Sequence, residues 1–548
     1  MGRPGADRGS RMNWLDGLPV LVLGLGDSGL AMARWCARHG ARVAVWDSRP
    51  QPPQAATLAL EQPEARRFGG ELNAEHLAGI QLVLKSPGLA PGDVRVAPLL
   101  AAARDTGIAV LGELDLFARA LAELEAAQGY APQVLAVTGT NGKTTTTAMT
   151  ARLVERAGRR VATAGNIGPT LLDTLAAALA AQALPEVWVL ELSSFQLEGG
   201  GQGVRGFEPS AAAVLNLTQD HLDWHGSMRA YAAAKQRVFG TQAVMVVNRD
   251  DPWVEAMVPG PTLVKGKPRP SERVVLRFGL DAPQRPGDFG LVVENGMAWL
   301  VRALPAEEGS KRKPRPPGRR DAATVPPGES GATGRPGGDG AEPEEIHLQR
   351  LMPADALRVR GRHNAANALA ALALASAIGC PLAPMLHGLR EYEGEPHRVQ
   401  PVGRVGEVEA FDDSKGTNVG ATVAALVGLG ADLAPARLVV ILGGDGKGQD
   451  FAPLAAPLAR HARAVATLGR DAAAIEAAVQ AALVGLPLQR HASLEAAVAW
   501  CFGQARPGDA VLLSPACASL DMFRNYAHRA EVFVQAVQAL ARERGEPA

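Results

Sequence analysis

The segment VLAVTGTNGKTTTT, residues 134–147, joins an apolar run to a glycine-bearing loop and a threonine-rich continuation. This pattern predicts a strand that ends at Val137, then a loop, then a helix. Backbone N–H groups in such a loop cradle phosphate oxygens, Lys143 can reach the β- and γ-phosphates, and the Thr144 hydroxyl can ligate Mg²⁺. The loop is a short variant of the phosphate loop, because Val137 stands where the longer pattern has a glycine. The predicted ATP-binding residues here are Gly139, Thr140, Asn141, Gly142, Lys143, Thr144 and Thr145.

A second glycine-rich segment, VLVLGLGDSGLAMARW, lies upstream at residues 20–35. It predicts a strand over 20–23, a GxGxxG turn over 24–29 and a helix that ends near Gly40. The next predicted strand ends in Asp47, whose carboxylate suits a ribose or a base edge. Any nucleotide diphosphate satisfies the N–H donors of such a turn, so the motif does not choose between NAD and a UDP-sugar.

Short apolar runs alternate with alanine-rich stretches along most of the chain. A third predicted strand that runs into a glycine-bearing loop lies at 437–447. This βαβ pattern is typical of parallel sheets flanked by helices. The exception is 305–345, which holds eight Pro and eight Gly and only one apolar residue larger than Ala, Val325. Such a stretch buries too little surface to fold, so it is interpreted as a disordered insertion.

The composition excludes several classes of protein. The 548 residues carry 56 Lys plus Arg and 56 Asp plus Glu, so the net charge indicates neither a nucleic acid nor a membrane surface as partner. Four cysteines without a CxxC pair exclude a disulfide scaffold and a cysteine-based zinc ribbon. Because the chain also lacks a long apolar run and a signal peptide, a cytoplasmic multi-domain protein is expected.

Two polar residues follow predicted strands downstream of the phosphate loop. The apolar run over 187–190 ends in Glu191, and a predicted strand over 213–217 is followed by His221. Both side chains are expected at the carboxyl edge of the sheet, where ligands of open α/β sheets bind. Together they could hold a second hard cation, although a lone histidine after a strand is more often a capping or packing residue.

Nine motifs follow one another in an order that resembles the Mur ligases. They are GTNGKTT (139–145), GNIG (165–168), LELSSFQLE (190–198), DHLD (220–223), GRHNAAN (361–367), EPHR (395–398), DDSKGTN (412–418), GGDGKG (443–448) and SPACASLDMF (514–523). The resemblance runs from about Met12 to the C-terminus, except for the insertion. It implies an α/β fold of three domains: a Rossmann-like UDP-substrate domain over 1–130, a P-loop ATPase-like domain with a mostly parallel sheet over 131–394, and a Rossmann-like amino-acid domain over 395–548.

The resemblance also implies an activity, which is ATP-dependent ligation of D-glutamate to UDP-N-acetylmuramoyl-L-alanine in peptidoglycan precursor synthesis. ATP first phosphorylates the substrate carboxylate, and the amine then displaces phosphate from the acyl phosphate. The expected cofactors are ATP and two Mg²⁺ ions, and the expected partners are these small molecules, bound by a monomer. The third domain is expected to rotate about a hinge near 393–396.

Site residues are carried over position by position. The implied UDP-substrate contacts are Ser28, Asp47, Arg49, Gly88 and Asn166, and further ATP contacts are Asn364, Arg398 and Asp413. The implied D-glutamate contacts are Thr417, Lys447, Ser519, Leu520 and Tyr526, the last standing where the family is expected to have Phe. The implied catalytic residues are Lys143, His221, Lys235 and Glu191, and the implied metal ligands are Thr144, Glu191, His221 and a carbamylated Lys235.

Three alternatives stay open at this stage. One is a related ligase that adds L-alanine, a diamino acid or a dipeptide, or a folate polyglutamate synthase. Another is an NAD-dependent oxidoreductase built on the turn over 24–29, which leaves the loop over 139–145 unexplained. The last is a non-catalytic nucleotide-binding protein, which would not need Glu191, His221 and Lys447 together.

Overall fold

The computed structural model describes residues 13–199, 203–264, 267–269, 272–306, 345–480 and 485–545. Along these residues the chain forms three large sheets in succession, each covered by helices. The predicted α/β class, with three domains and mostly parallel sheets, is confirmed. Among the described helices, none has the length and hydrophobicity needed to cross a membrane.

The first sheet is entirely parallel. Its strands are β1 (Pro19–Leu23), β2 (Arg42–Trp46), β3 (Arg66–Phe68), β4 (Leu82–Lys85) and β5 (Ala109–Leu111), and its helices are α1 (Asp27–Arg38), α2 (Ala55–Glu61), α3 (Ala97–Asp105) and α4 (Glu113–Gln128). The strand order is β3-β2-β1-β4-β5. The strand predicted over 20–23 is confirmed, and the GxGxxG turn therefore lies at the carboxyl end of the central strand.

The second sheet has nine strands and one antiparallel edge. Its strands and an accompanying hairpin are β6 (Gln133–Thr138), β7 (Val161–Gly165), β8 (Val187–Glu191), β9 (Ala211–Val214), β10 (Val244–Asn248), β11 (Thr262–Val264), β12 (Lys267–Arg269), β13 (Val275–Phe278), β14 (Phe289–Glu294), β15 (Met297–Pro305) and β16 (Ile346–Pro353). The order is β16-β15-β14-β13-β10-β9-β6-β8-β7, while β11 and β12 pair separately. Strands β14 to β16 run antiparallel to one another, and the remaining pairs are parallel.

The helices of this domain are α5 (Lys143–Arg156), α6 (Leu171–Ala180), α7 (Ser194–Glu198), α8 (Leu222–His225), α9 (Met228–Gln236), α10 (Pro252–Glu255), α11 (Arg362–Ala377) and α12 (Leu382–Glu391). The strand predicted over 213–217 is wrong in its bounds, since β9 covers Ala211–Val214. Beyond β9 the chain turns onto the phosphate loop, where the Asn216 carbonyl accepts the Thr140 N–H at 2.9 Å. Residues 215–217 therefore lie in the loop beside the phosphate loop.

The third sheet is parallel except at one edge. Its strands are β17 (Gln400–Val405), β18 (Val408–Asp412), β19 (Leu438–Gly443), β20 (Ala462–Leu468), β21 (Leu488–Arg490) and β22 (Ala510–Leu513), and its helices are α13 (Val419–Leu433), α14 (Ala455–His461), α15 (Ala472–Val479), α16 (Leu494–Gln504) and α17 (Tyr526–Glu543). The order is β17-β18-β22-β19-β20-β21, with β17 antiparallel to β18. Short 3₁₀ helices occur at Asn13–Leu15, Ala74–Leu77, Arg237–Phe239, Ala354–Ala356 and Ala452–Leu454.

One hydrophobic core joins the first two domains. It includes Trp35 of α1, Phe117 of α4, Leu172 of α6 and Trp188 of β8, all nearly or fully buried. The Phe117 and Trp188 rings meet edge to face at 5.1 Å. Because the third sheet has core clusters of its own, the first two domains are more firmly connected to each other than to the third.

The predicted insertion over 305–345 falls mostly on residues 307–344, which lie outside the described residues. Its two ends are close together, because Pro305 of β15 pairs with Ile346 of β16. The Ala306 N–H also donates to the Glu345 carbonyl at 2.9 Å. The insertion therefore connects two neighbouring antiparallel strands, and its disorder stays a prediction.

Candidate active site

The GxGxxG turn opens into a cleft of about 480 Å³ between the first and second domains. Glycine is required in this turn, since a Cβ on Gly29 would lie 2.0 Å from the Gly24 carbonyl oxygen. The structure brings together here all five residues predicted to contact the UDP-substrate, namely Ser28, Asp47, Arg49, Gly88 and Asn166. Arg95, which the sequence analysis missed, also lines the cleft.

Asp47 is engaged with the protein itself. Its oxygens accept the Leu25 N–H at 2.7 Å and the Arg49 guanidinium at 2.7 and 2.9 Å, with the Arg49 N–H at 2.9 Å. Burial raises the pKa of Asp47, but these hydrogen bonds outweigh burial and lower the pKa to about 2. The carboxylate therefore fixes the turn and orients Arg49, whose half-exposed guanidinium also lines the cleft.

The phosphate loop connects β6 to α5 and is fixed from two sides. Gly142 has φ of +83°, and a Cβ there would lie 2.5 Å from Asn367 Oδ1. The Asn141 N–H donates to Asn216 Oδ1 at 2.8 Å, and Asn216 Nδ2 donates back to the Asn141 carbonyl at 3.0 Å. Sequence reasoning missed Asn216, since a single asparagine after a strand carries no motif of its own.

Two lysines converge beside this loop. Lys143 Nζ and Lys235 Nζ both donate to the Gly139 carbonyl, at 2.9 and 2.8 Å. Burial lowers the pKa of each amine, and the pKa of Lys235, which is 2% exposed and close to Lys143, falls well below its usual range. In the part of the chain that the structure describes, no carboxylate forms an ion pair with Lys235. Burial and the neighbouring Lys143 thus favour the neutral form of this amine, against the attraction of Asp220 and Glu191.

Glu191 and His221 lie at the carboxyl edge of the second sheet, as predicted. Glu191 ends β8, is buried, and accepts Asn166 Nδ2 at 3.1 Å. His221 precedes α8 with φ of +53°, and its ring meets Phe195 edge to face at 4.6 Å. Burial lowers the pKa of His221 against the attraction of Asp220, which favours a neutral imidazole.

The oxygen-bearing side chains beside the phosphate loop suit a Mg²⁺ ion that is bound together with a nucleotide. Across the described ranges, no group of three or more His, Cys, Asp or Glu side chains converges on one point. Magnesium, however, is usually held by one or two carboxylates, waters and substrate phosphates. The buried Glu191 carboxylate and the Thr144 hydroxyl, in the first turn of α5, supply such a partial set.

The third domain contacts the phosphate loop directly. Arg398 Nη2 donates to the Thr144 hydroxyl at 2.6 Å, and Asn418 Nδ2 donates to Asn141 Oδ1 at 3.0 Å. Asn418 also caps α13, since its Oδ1 accepts the Ala421 N–H at 2.9 Å. The domain that carries the predicted amino-acid pocket is thus hydrogen-bonded to the predicted ATP loop.

A cavity of about 290 Å³ lies at this junction. Six predicted ATP contacts line it, namely Asn141, Gly142, Thr145, Asn364, Arg398 and Asp413. Asn364 is held in place by its neighbour in α11, because Asn367 Nδ2 donates to its Oδ1 at 3.2 Å. Asp413 accepts the Ser514 hydroxyl at 2.6 Å. Burial raises the pKa of Asp413 to about 7, against the opposing effects of Ser514 and Arg398.

The predicted D-glutamate residues lie on loops at the carboxyl edge of the third sheet. Asp445 and Ala518 exchange backbone hydrogen bonds of 3.0 and 2.8 Å, which joins the loop of Lys447 to the loop of Ser519. Lys447 is exposed, and its charge helps to lower the pKa of His221 in the second domain. These residues are Thr417 before α13, Lys447 after β19, Ser519 and Leu520 after β22, and Tyr526 at the start of α17.

Lys415 is a further residue that the sequence analysis missed. Its Nζ lies 5.4 Å from the centre of the Tyr526 ring. Burial, helped by repulsion from Arg398, lowers the pKa of Lys415 to about 8, against the attraction of Glu191 and Glu395. Lys415 therefore adds positive charge between the second and third domains. Its position inside the DDSKGTN motif is the signal that could have identified it.

The three domains match family descriptions in the same order along the chain. Residues 19–112 match the "Mur ligase MurD-like, N-terminal domain", 137–281 the "Mur ligase middle domain", and 397–517 the "Mur ligase, glutamate ligase domain". The chain therefore belongs to the Mur ligase family.

Relatives of known name agree with this assignment over nearly the full length. The chain is 60% identical, over 97% of its length and 98% of the relative, to UDP-N-acetylmuramoylalanine–D-glutamate ligase of Albidiferax ferrireducens. It is 57% identical, over 96% of its length and 98% of the relative, to the protein of the same name from Burkholderia pseudomallei.

Two solved structures share the fold. MurF ligase of Thermotoga maritima in complex with ADP has a TM-score of 0.54 at 15% identity, and the match covers 98% of this chain and 100% of that one. UDP-N-acetylmuramate-alanine ligase MurC of the same organism has a TM-score of 0.51 at 18% identity, covering 95% and 99%. At these identities the two structures support the fold alone.

Proposed function

We propose that this chain ligates D-glutamate to UDP-N-acetylmuramoyl-L-alanine at the expense of ATP, in peptidoglycan precursor synthesis. The observation that carries the proposal is the 60% identity to the Albidiferax ligase, whose name states this pair of substrates. A carboxylate is a poor electrophile, so its oxygen first attacks the γ-phosphorus of ATP and ADP leaves. The amine of D-glutamate then attacks the acyl carbon, phosphate leaves, and the nitrogen gives up a proton.

The UDP end of the substrate is assigned to the cleft of the first domain. Two helix N-termini, those of α1 and α6, border this cleft and favour an anion. The proposed contacts are Ser28, Asp47, Arg49, Gly88 and Asn166.

Each substrate is assigned to one domain. The proposed domains are residues 1–130 for the UDP-substrate, 131–394 for ATP and 395–548 for D-glutamate.

ATP is assigned to the phosphate loop and to the cavity at the junction with the third domain. Lys143 would neutralise charge on the transferred phosphoryl group, because it lies on the loop that cradles the phosphates. The remaining ATP contacts proposed are Gly139, Thr140, Asn141, Gly142, Thr144, Thr145, Asn364, Arg398 and Asp413. The solved structure of T. maritima MurF ligase is a complex with ADP, which supports an adenine nucleotide as a ligand of this family.

Two Mg²⁺ ions complete the proposal, with ligands from Thr144, Glu191, His221 and Lys235. The metal would supply positive charge to the phosphate oxygens during transfer. Lys235 can serve as a ligand only as a carbamate, which forms when its neutral amine adds to CO₂ and loses a proton. Removing divalent metal with a chelator should abolish phosphate release, and added Mg²⁺ should restore it.

The amino acid is assigned to the loops of the third sheet. D-glutamate carries two carboxylates, and the exposed ammonium of Lys447 and the hydroxyls of Thr417 and Ser519 are suitable partners for them. Leu520 and Tyr526 are proposed to border the pocket.

The decisive experiment measures phosphate release from ATP, Mg²⁺ and UDP-N-acetylmuramoyl-L-alanine with one amino acid at a time. Release should require D-glutamate, and equal turnover with L-alanine or a diamino acid would overturn the assignment. The oxidoreductase alternative loses support because the family descriptions that match the chain and its relatives of known name are ligases, and because it leaves the loop over 139–145 unexplained. We also propose that the chain is cytoplasmic and monomeric. Light scattering should then give a mass near 57.1 kDa, which is the mass of one chain.

A further inference from the structure

Glu113 begins α4 and lies buried where three helices of the first two domains meet. It is 3% exposed, and its Oε1 accepts the Leu172 N–H from the first turn of α6 at 3.1 Å. The Ser28 side chain of α1 and the Leu171 N–H also lie close enough to act on this carboxylate, and each lowers its pKa. One side chain therefore connects the starts of α1 and α6, which belong to different domains.

Both helix starts border the cleft assigned to the UDP-substrate. Ser28 is the second residue of α1, and Thr170 is the N-cap of α6; both line the cleft. The first N–H groups of a helix lack partners within the helix and attract anions. The relative position of these two starts therefore determines how well both can face one pyrophosphate.

We propose that Glu113 is a positioning residue for the UDP-substrate, because it fixes the N-termini of α1 and α6 on the two sides of the cleft. This inference rests on the proposed function, since it concerns the same substrate. Glu113 acts through Ser28 and α6, and it leaves the backbone N–H groups of α1 to the ligand.

The surroundings of Glu113 define which substitutions are conservative. Burial raises the pKa of Glu113 to about 7, against the opposing hydrogen bonds from Ser28 and α6. Glutamine keeps an acceptor for the Leu172 N–H and a polar partner for Ser28 without a buried charge. Alanine leaves these buried donors without an acceptor, which weakens the connection.

Asp115 supplies a matched control from the same helical turn. It is also 3% exposed, but its oxygens accept the Gly112 N–H at 2.8 Å and the Arg205 N–H at 2.7 Å, away from α1 and α6. Asp115→Asn should therefore leave substrate binding within about twofold of the unmodified protein.

The experiment measures the dissociation constant of UDP-N-acetylmuramoyl-L-alanine by calorimetry, together with KM for all three substrates. Glu113→Ala should weaken binding of the UDP-substrate about tenfold, with KM for ATP and D-glutamate within twofold, and Glu113→Gln should restore most of the affinity. If Glu113→Ala does not fold, Glu113→Asp, which is too short to reach both helices, should give a smaller loss in the same direction.

Unchanged UDP-substrate binding in Glu113→Ala or, failing that, Glu113→Asp would overturn the inference. Equal losses for all three substrates, or an Asp115→Asn variant as impaired as Glu113→Ala, would do so as well. The proposed function fails separately, if the unmodified protein binds the UDP-substrate but releases no phosphate on addition of D-glutamate.

Discussion

Lys143 places a positive charge inside the phosphate loop. Its Nζ donates to the Gly139 and Thr140 carbonyls at 2.9 and 2.8 Å, so the side chain is held where phosphate oxygens are expected. Lys143→Ala should lower kcat about 10²- to 10³-fold, the usual effect of removing one charge-stabilising group. Phosphate release measures this loss, and calorimetry with the UDP-substrate is the control, because that cleft is lined by other residues. Near-normal turnover would exclude the proposed role of Lys143.

Lys235 is buried and forms no ion pair among the described residues, and burial lowers its pKa against the attraction of Asp220 and Glu191. A neutral amine can add to CO₂, and the resulting carbamate could bridge to Mg²⁺. Lys235→Ala should therefore lose most activity, and acetate should restore part of it by occupying the vacated space. The same acetate added to Lys143→Ala should restore nothing. Full activity of Lys235→Ala without acetate would refute the carbamate.

At the scale of elements, Asn418 at the start of α13 has two roles, one in its own helix and one at the phosphate loop. Asn418 caps this helix and also donates to Asn141 of the phosphate loop, at 3.0 Å. Asn418→Ser retains a capping hydroxyl but is too short to reach Asn141. KM for ATP and D-glutamate should therefore rise about three- to tenfold, which is the effect of one lost hydrogen bond. Thermal stability should be unchanged, because the cap is kept.

Asn418→Ala is the comparison, because it loses the cap as well. It should show the same kinetic effect together with a loss of about 1 kcal/mol in the free energy of unfolding. Unaltered kinetics in Asn418→Ser would show that the contact between the domains has no catalytic consequence.

At the scale of the whole molecule, the insertion can be tested by removal. Ala306 and Glu345 are hydrogen-bonded across neighbouring antiparallel strands, at 2.9 Å. Replacing residues 307–344 by Asn-Gly, a favoured two-residue hairpin turn, should leave kcat, KM and the melting temperature nearly unchanged. Loss of folding or activity would show that the insertion contributes to the enzyme.

Movement of the third domain is also expected at this scale. The first two domains share a core, whereas the third is connected to the phosphate loop by polar contacts such as Arg398 to Thr144. His397 and Val399, just after the predicted hinge over 393–396, have φ of +65° and +47°, and the second value is strained for a β-branched residue. A rotation on binding of ATP and the UDP-substrate should change the distance between fluorescent labels on the second and third domains, and identical distances would contradict it.

The sequence by itself determined the α/β class, the phosphate loop and the positions of Glu191 and His221 at a sheet edge. These features are local, because glycine spacing and apolar runs are set by the backbone of one strand and the loop after it. The family resemblance extended this to five residues that line one cleft of the structure, and their role as UDP-substrate contacts stays a prediction.

Only the tertiary structure decided which side chains meet. The contact of Asp47 with the Leu25 N–H, the shared carbonyl of Lys143 and Lys235, and the contact of Glu113 with the first turn of α6 all join residues from different elements or loops. The antiparallel edge of the second sheet likewise depends on pairing between strands. How deeply a side chain is buried and which groups it contacts depend on how the chain packs, so a pattern in the amino-acid sequence does not specify them.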